Sequence, residues 1–311
     1  MMTINVQNVS AEHRPLALRV LFARFPLEEQ QARLAEALNS AERGQLKLDG
    51  LLLAEEADKP VGAALSMHQS DGVSLVWPPV VTCQTSNEKA VVDALMTQLC
   101  ADIDAAGSRM AQALLSPQDD VETELLERFG FAYATDMFFL ARTLTPEDIA
   151  RESIQSEIDH EIFHAGNENR FASVIERTYR DSLDCPFLDG IRNGSDALVG
   201  HRISGRFDPA GWRLYRAGSE DVGVVLMNEH PDQNAIELVY FGIVPEFRGR
   251  GIGRILLADC LQAAAMTGRA VVFLSVDCGN VYANALYDEL DFTELARRRI
   301  MIRRSEQLAR K

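Results

Sequence analysis

The chain has 311 residues, 47% of them hydrophobic and 25% charged, with a formal net charge of −15. That length suits two domains of ordinary size, and the composition is that of a soluble globular protein. The acidic balance argues against nucleic-acid or anionic-membrane partners, because both are held by accumulated Lys and Arg.

Residues 3–8 alternate like a short strand, and 17–25 and 26–39 read as helices, the second opening on Pro26-Leu27-Glu28-Glu29. Apolar strands are predicted over 50–57 and 61–67, a hairpin about Asp58-Lys59-Pro60. A third strand over 73–81 contains Pro78 and Pro79, which suits an edge or a bulge. Val91, Val92, Leu95, Leu99 and Ile103 recur at helical spacing within 88–106. A strand over 111–115, a helix over 119–129 closed by Gly130, and a strand over 133–141 follow. From Thr145 to His164 the chain reads as a connecting stretch, a solvated helix with a charged face. Helices are expected over 168–180 and 194–204, a hairpin over 212–227, and a strand over 238–244. After it come a helix over 255–266, a strand over 271–276, a helix over 281–290, a strand over 295–302 and a basic tail.

The five Cys (83, 100, 185, 260, 278) are odd in number and form no CxxC, as expected in a reducing compartment. No apolar run has the length of a signal core or a membrane span, so a cytoplasmic location is expected. His160-x-x-x-His164 has helical spacing but lacks the following Glu and further ligands, so it reads as a polar helix face and no metal is expected. Trp77 and Trp212 read as packing residues, Trp212 with a chance of lining an acceptor pocket.

The halves repeat. Gly62-Ala-Ala-Leu65 matches Gly223-Val-Val-Leu226, and 125–131 matches 286–292, both at a shift of 161 positions. At that shift Arg248, Gly251 and Gly253 fall on Asn87, Ala90 and Val92, and Tyr287 falls on Leu126.

The second half contains a strand ending at Val244-Pro245, then Arg248-Gly249-Arg250-Gly251-Ile252-Gly253, then a helix. Glycines allow a tight turn and a close backbone approach, and the first helical amides point, unpaired, at an anion. The spacing fits neither the dinucleotide fingerprint nor the Walker loop. Arg248-x-x-Gly251-x-Gly253 resembles the acyl-CoA loop of the GNAT N-acyltransferases. Asn280-x-x-Ala283-x-x-Leu286-Tyr287-x-x-Leu290-x-Phe292 resembles the family's downstream helix, with Asp291 where the family usually has Gly.

The resemblance implies an α+β fold, layered α/β/α: two tandem GNAT-like domains, each a mixed, mostly antiparallel sheet flanked by helices. The expected boundaries are 1–145 for a degenerate copy, 146–165 for the connecting segment and 166–311 for the acyl-CoA-binding copy. An intact second site with a different loop is the alternative for the first copy. The implied function is acyl transfer, most simply acetyl transfer from acetyl-CoA, to an amine on a small molecule or peptide. The alternative is a noncatalytic CoA-sensing or protein-interaction module. As in the family, amides of Ile243 and Val244 would bind pantetheine and the thioester carbonyl. Amides of Arg250, Gly251, Ile252 and Gly253 would hold the pyrophosphate, with Gly249 a cofactor-binding residue of the same loop and Arg248 and Arg250 adding positive charge. Tyr287 would serve the departing thiolate. Asn280 either contacts the pantetheine arm or caps its helix. Glu237 either deprotonates the amine or is a solvated strand end, with Tyr240 and Asp277 as weaker candidates. The tandem arrangement also resembles mycothiol-synthase-like enzymes, in which one half is active, but no residue fixes that substrate.

Overall fold

The computed structural model describes residues 4–82, 85, 87–150, 157–188 and 193–305. They form two compact units, Met1–Tyr133 with Ile300–Lys311, and Ala134–Arg299.

In the first unit β1 (Ile4–Asn8), β2 (Gly50–Glu56), β3 (Lys59–His68) and β4 (Val73–Val81) run antiparallel in that order. Ala57 and Asp58 make the β2–β3 turn with φ of 50° and 59°, the left-handed pair that a two-residue hairpin requires. β5 (Met110–Leu115) then pairs in parallel with Val73–Val76 of β4. Helices α1 (Arg14–Leu21) and α2 (Leu27–Glu42) cover one face, with Leu18 and Leu21 packed on Leu51, Leu53 and Leu65. Helices α3 (Glu88–Ala105) and α4 (Asp120–Arg128) cover the other, through Leu95, Leu99 and Leu126. Pro78 and Pro79 lie at a bulge, between the pairs Leu65–Trp77 and Ala63–Val80, where a missing donor costs no ladder bond.

The second unit has strand order β6-β11-β10-β9-β8-β7. These are β6 (Ala132–Thr143), β11 (Val271–Asp277), β10 (Ala235–Ile243), β9 (Glu220–His230), β8 (Arg206–Ala217) and β7 (Ile158–Ile162). Only β10 and β11 are parallel. On one face α6 (Glu168–Tyr179) and α7 (Gly194–Arg202) pack Phe171, Ile175 and Leu198 against Trp212, Leu214, Val224 and Leu226. On the other, α8 (Ile252–Met266) and α9 (Val281–Glu289) pack Leu256, Leu257, Leu261 and Tyr287 against Ile236, Leu238, Val272 and Leu274.

The repeat is now visible element by element. A shift of 161 carries α4 onto α9, and carries β6 onto β12 (Thr293–Arg304). A shift of 162 carries β4 onto β10. The compact units nevertheless depart from the boundaries expected at 145 and 166. From Ala134 onward β6 belongs to the second unit, pairing with β11 and burying Leu140 in that core. From Ile300 onward β12 belongs to the first, where Met301 is buried with Leu126 and Phe131. Each repeat thus contributes from its last strand to the core of the other, β6 from Ala134 and β12 from Ile300.

Two further expectations are corrected. The described residues of 145–164 do not form one solvated helix: α5 (Pro146–Ala150) is short and β7 pairs with β8, while residues 151–156 lie outside the described set. Asp148 is buried, accepting from Arg142 Nη2 at 2.8 Å and from the Thr145 amide at 2.8 Å. Burial would raise this carboxyl, but those hydrogen bonds outweigh it and the net shift is downward. His160 therefore sits on a strand, its ring 5.6 Å from that of Tyr215. Of the two tryptophans, Trp212 is fully buried and donates to Asn228 Oδ1 at 2.9 Å, so it packs the core and lines no pocket. Trp77 is 39% exposed and is no core residue.

The placement of β12 is testable. Met301→Ala removes a fully buried side chain and should cost about 2–5 kcal/mol. Hydrogen exchange should then rise in α3 and α4 while α8 and α9 stay protected.

Candidate active site

The site begins with a parting of strands. β10 pairs with β11 only over Ala235–Glu237, opposite Val271–Phe273. Beyond that, β11 stays with β6 as far as Asp277 while β10 stays with β9 as far as Ile243. The register of β10 on β9 slips between Leu238 and Tyr240, so Val239 is the extra residue of a bulge. The slip puts Val239 and Tyr240 on the α6/α7 face, while Phe241 and Ile243 pack with the α8/α9 cluster.

The bulge also decides which amides are available. The Val244 amide donates to Val222 O at 3.0 Å, which corrects its expected role in holding pantetheine. Backbone groups alternate in direction along a strand, so the Gly242 amide also faces β9. Those of Phe241 and Ile243 face the side that β11 has left. The Ile243 carbonyl on that side accepts from Arg248 Nε at 2.9 Å.

The loop after β10 carries two left-handed glycines, Gly249 with φ 72° and Gly251 with φ 76°. A Cβ at either meets nothing within 4 Å, so the requirement is conformational. Gly251 is the N-cap of α8; the Arg254 amide donates to Gly251 O at 3.2 Å, while those of Ile252 and Gly253 have no intrahelical acceptor and lie at the positive end of the helix dipole. Gly253 has a different reason. A Cβ there would lie 3.2 Å from Leu286 Cδ2 and 3.3 Å from Ile243 Cδ1, so its lack of a side chain lets α8 sit close on β10 and α9.

Arg248 does not extend toward a phosphate. Besides Ile243 O, its guanidinium donates to Thr178 O at 2.7 Å and to Arg180 O and Asp181 O at 2.9 Å each. It satisfies the C-terminal carbonyls of α6 and ties that helix to the end of β10. Arg254 is ion-paired with Glu289. Arg250 is exposed, its guanidinium 5.1 Å from the Phe247 ring centre, and it is the arginine of this loop placed to meet an anion.

Tyr287 is buried in the α8/α9 cluster, 5.4 Å from the Phe292 ring, and its hydroxyl makes no hydrogen bond among the described residues. Burial pushes its phenol above the ordinary value, with the Asp184 carboxylate adding to the shift. Asn280 caps α9, its Oδ1 accepting from the Ala283 amide at 3.2 Å. Asp291 takes the left-handed turn with φ 60°. Asp277 is buried and held by the Cys185 amide at 2.8 Å and the Gly279 amide at 2.7 Å. Tyr240 shares a hydrogen bond of 2.6 Å with Thr178 Oγ1, and burial pushes its phenol up as well. Both are structural in this arrangement.

Glu237 is no solvated strand end. Its Oε2 lies 2.8 Å from His230 Nε2 and accepts from Ser204 Oγ, while Oε1 has no hydrogen bond among the described residues. Side chains alternate along β10 before the bulge, so Glu237 lies on the face opposite Ile236 and Leu238.

The family model described as Acetyltransferase (GNAT) family matches residues 177–292. Mycothiol acetyltransferase of Streptomyces coelicolor is 33% identical over 269 residues, 81% of this chain and 81% of its own. The chain belongs to the GNAT family. The mycothiol acetyltransferase of Kocuria rhizophila is 29% identical over 250 residues, 77% of this chain and 79% of its own. The fold agrees with that of a GCN5-related N-acetyltransferase from Sphaerobacter thermophilus, at TM-score 0.66 and 19% identity over 97% of this chain and 95% of that one. It also resembles a tandem GNAT protein from the clavulanic acid biosynthesis pathway, at TM-score 0.55 and 12% identity over 97% and 98%.

As a GNAT enzyme the protein is an acyl-CoA-dependent acetyltransferase. The parted strands and the left-handed loop are the features of this chain that suit an acyl-CoA. In the first unit β4 and β5 also part, after Val76 and Ala113, and the bulge at Pro78–Pro79 is kept. What changes there is the helix start. α3 begins at Glu88, which maps to Gly249, and puts an acidic side chain in the first turn where an anion would sit. Sequence reasoning missed His230 and Ser204 as partners of Glu237, since they lie seven and 33 positions away. No local pattern in the sequence marks either of them.

Arg248→Lys separates the two roles of this arginine. A phosphate-binding cation would tolerate the change, whereas a fork that satisfies four carbonyls would not. Equilibrium denaturation should show a loss of about 2 kcal/mol or more, and calorimetry at least tenfold weaker acetyl-CoA binding.

Proposed function

We propose that the second unit acetylates an amine of a small molecule, with Glu237 and Tyr287 acting from opposite faces of β10. That opposition carries the reading, because β10 and β11 part after Glu237 between the two faces, and an extended thioester arm would pass there from one to the other. Amides of Gly249 to Gly253 and the dipole of α8 would hold the pyrophosphate, helped by Arg250. The outward amides of Phe241 and Ile243 would pair with the pantetheine arm and steady negative charge on the carbonyl oxygen.

The chemistry then divides cleanly. The neutral amine attacks the thioester carbon, and its surplus proton passes to Glu237 Oε1, directly or through one water. The C–S bond breaks, and the Tyr287 hydroxyl donates its proton to the departing thiolate. Exchange with solvent returns the proton from Glu237 and reprotonates Tyr287. The first unit, with Glu88 in place of the glycine loop, does not bind acyl-CoA in this way.

The acceptor is the part that the relatives inform. Two of them are named for mycothiol, so its deacetylated form heads the amines to test. The panel continues with glucosamine, L-cysteine amide, spermidine and a Lys-containing peptide, each followed by mass spectrometry of the acetylated product. Turnover of a small amine but not the peptide supports the reading, and turnover of none overturns it.

Tyr287→Phe should lower kcat about 10²-fold with KM for acetyl-CoA within about threefold. Because burial raises the Tyr287 phenol, the proton is held as pH climbs past its ordinary value near 10. The kcat profile of the unaltered enzyme should therefore show no falling limb from Tyr287 up to pH 10.

A further inference from the structure

Glu237 is gripped on one oxygen and open on the other. Ser204 Oγ and His230 Nε2 converge on Oε2, leaving Oε1 without a hydrogen bond among the described residues. Both donors are themselves held. Ser204 follows α7, in a turn fixed from β9 by the fully buried Asn228. The Asn228 Nδ2 donates to His201 O at 2.6 Å and to Ser204 O, and its Oδ1 accepts from Trp212 Nε1. Every polar atom of that amide is used, so the turn has little freedom. His230 ends β9, its ring 5.1 Å from Phe273 of β11 in edge-to-face contact.

Gly205 joins the two. Its φ is +70°, and a Cβ there would lie 2.6 Å from His230 Nε2 and 2.7 Å from Glu229 O. The chain thus passes so close over the imidazole that no side chain fits, and Ser204 is brought to the same carboxylate oxygen. Glu237 is the hydrogen-bond partner seen on the ring, with Phe273 and the backbone at Gly205 beside it. The neighbouring Glu229 is turned to Arg206 and Arg269.

We infer that Ser204 and His230 are positioning residues that clamp Glu237 through Oε2, so that Oε1 alone receives the amine proton. The inference rests on the reading of Glu237 as the proton acceptor. The clamp fixes the carboxylate rotamer, so that the lone pairs of one oxygen are presented to the attacking amine at each turnover. Charge stays balanced, since the proton that leaves nitrogen ends on Oε1 and neither positioning residue gains or loses one.

The experiment is a double-mutant cycle on the full chain, with acetyl-CoA and the amine of the panel that is turned over best. Glu237→Gln should lower kcat by 10²-fold or more. His230→Ala and Ser204→Ala should each lower kcat about 10-fold or more, with KM for acetyl-CoA within twofold. His230→Gln, which keeps a donor, should recover most of that loss. In the Glu237→Gln background His230→Ala should have no further effect, because there is no carboxylate left to orient. A His230→Ala loss of equal size in both backgrounds, or no loss in either, overturns the clamp. A Glu237→Gln enzyme of full kcat, or no turnover of any amine, overturns the underlying reading as well. Should His230→Ala not fold, as judged by acetyl-CoA binding, Ser204→Ala and His230→Gln complete the cycle with the same criteria.

Discussion

One extra residue in β10 governs the site. The bulge at Val239 breaks the alternation of the strand, so that Glu237, Val239 and Tyr240 share a face while Phe241 and Ile243 turn to the other. It lies where β10 leaves β11, which exposes a short run of backbone on the departing side. Unpaired strand backbone is costly when buried and tolerated when a ligand completes it. The parting thus leaves a slot between β10, which stays on β9, and β11, which stays on β6.

Around that slot the structure spends its strongest polar contacts on rigidity. The Arg248 guanidinium holds the end of α6 and the end of β10 together through four carbonyls. Asn228 fixes the turn beyond α7, and Asp277 fixes the segment at Cys185 against the end of β11. Each joins the α6/α7 side of the unit to a strand that flanks or supports the slot. Catalysis by positioned carboxylate and hydroxyl depends on such fixed neighbours more than on the reacting groups alone.

Much of this was legible in the sequence, for reasons that can be named. The shift of 161 positions revealed the repeat because both copies bury the same faces of the same elements. Pro78–Pro79 signalled a bulge because Pro cannot serve in a regular ladder. Gly249 and Gly251 stood out because few other residues take φ near +70°. The exchange of last strands was not legible: the pattern of β6 and β12 specifies a strand but not the sheet that receives it. Nor was the loss of the Val244 amide, since a single bulge upstream reverses which backbone groups face outward. Arg248 looked like an anion ligand because three of its four carbonyl partners lie about 70 positions earlier. The environment of Glu237 depends on a turn at Ser204–Gly205 that no local pattern announces.

The left-handed loop and the start of α8 predict a single acyl-CoA site at the N-terminus of that helix. Isothermal titration of the full chain with acetyl-CoA tests it most directly when paired with Gly251→Asp. Asp tolerates the left-handed backbone better than most residues, so the loop keeps its shape while a carboxylate enters the anion's place. One site per chain, weakened 100-fold or more by the substitution, is the predicted result. Two sites, or a single site indifferent to Gly251→Asp, would contradict it.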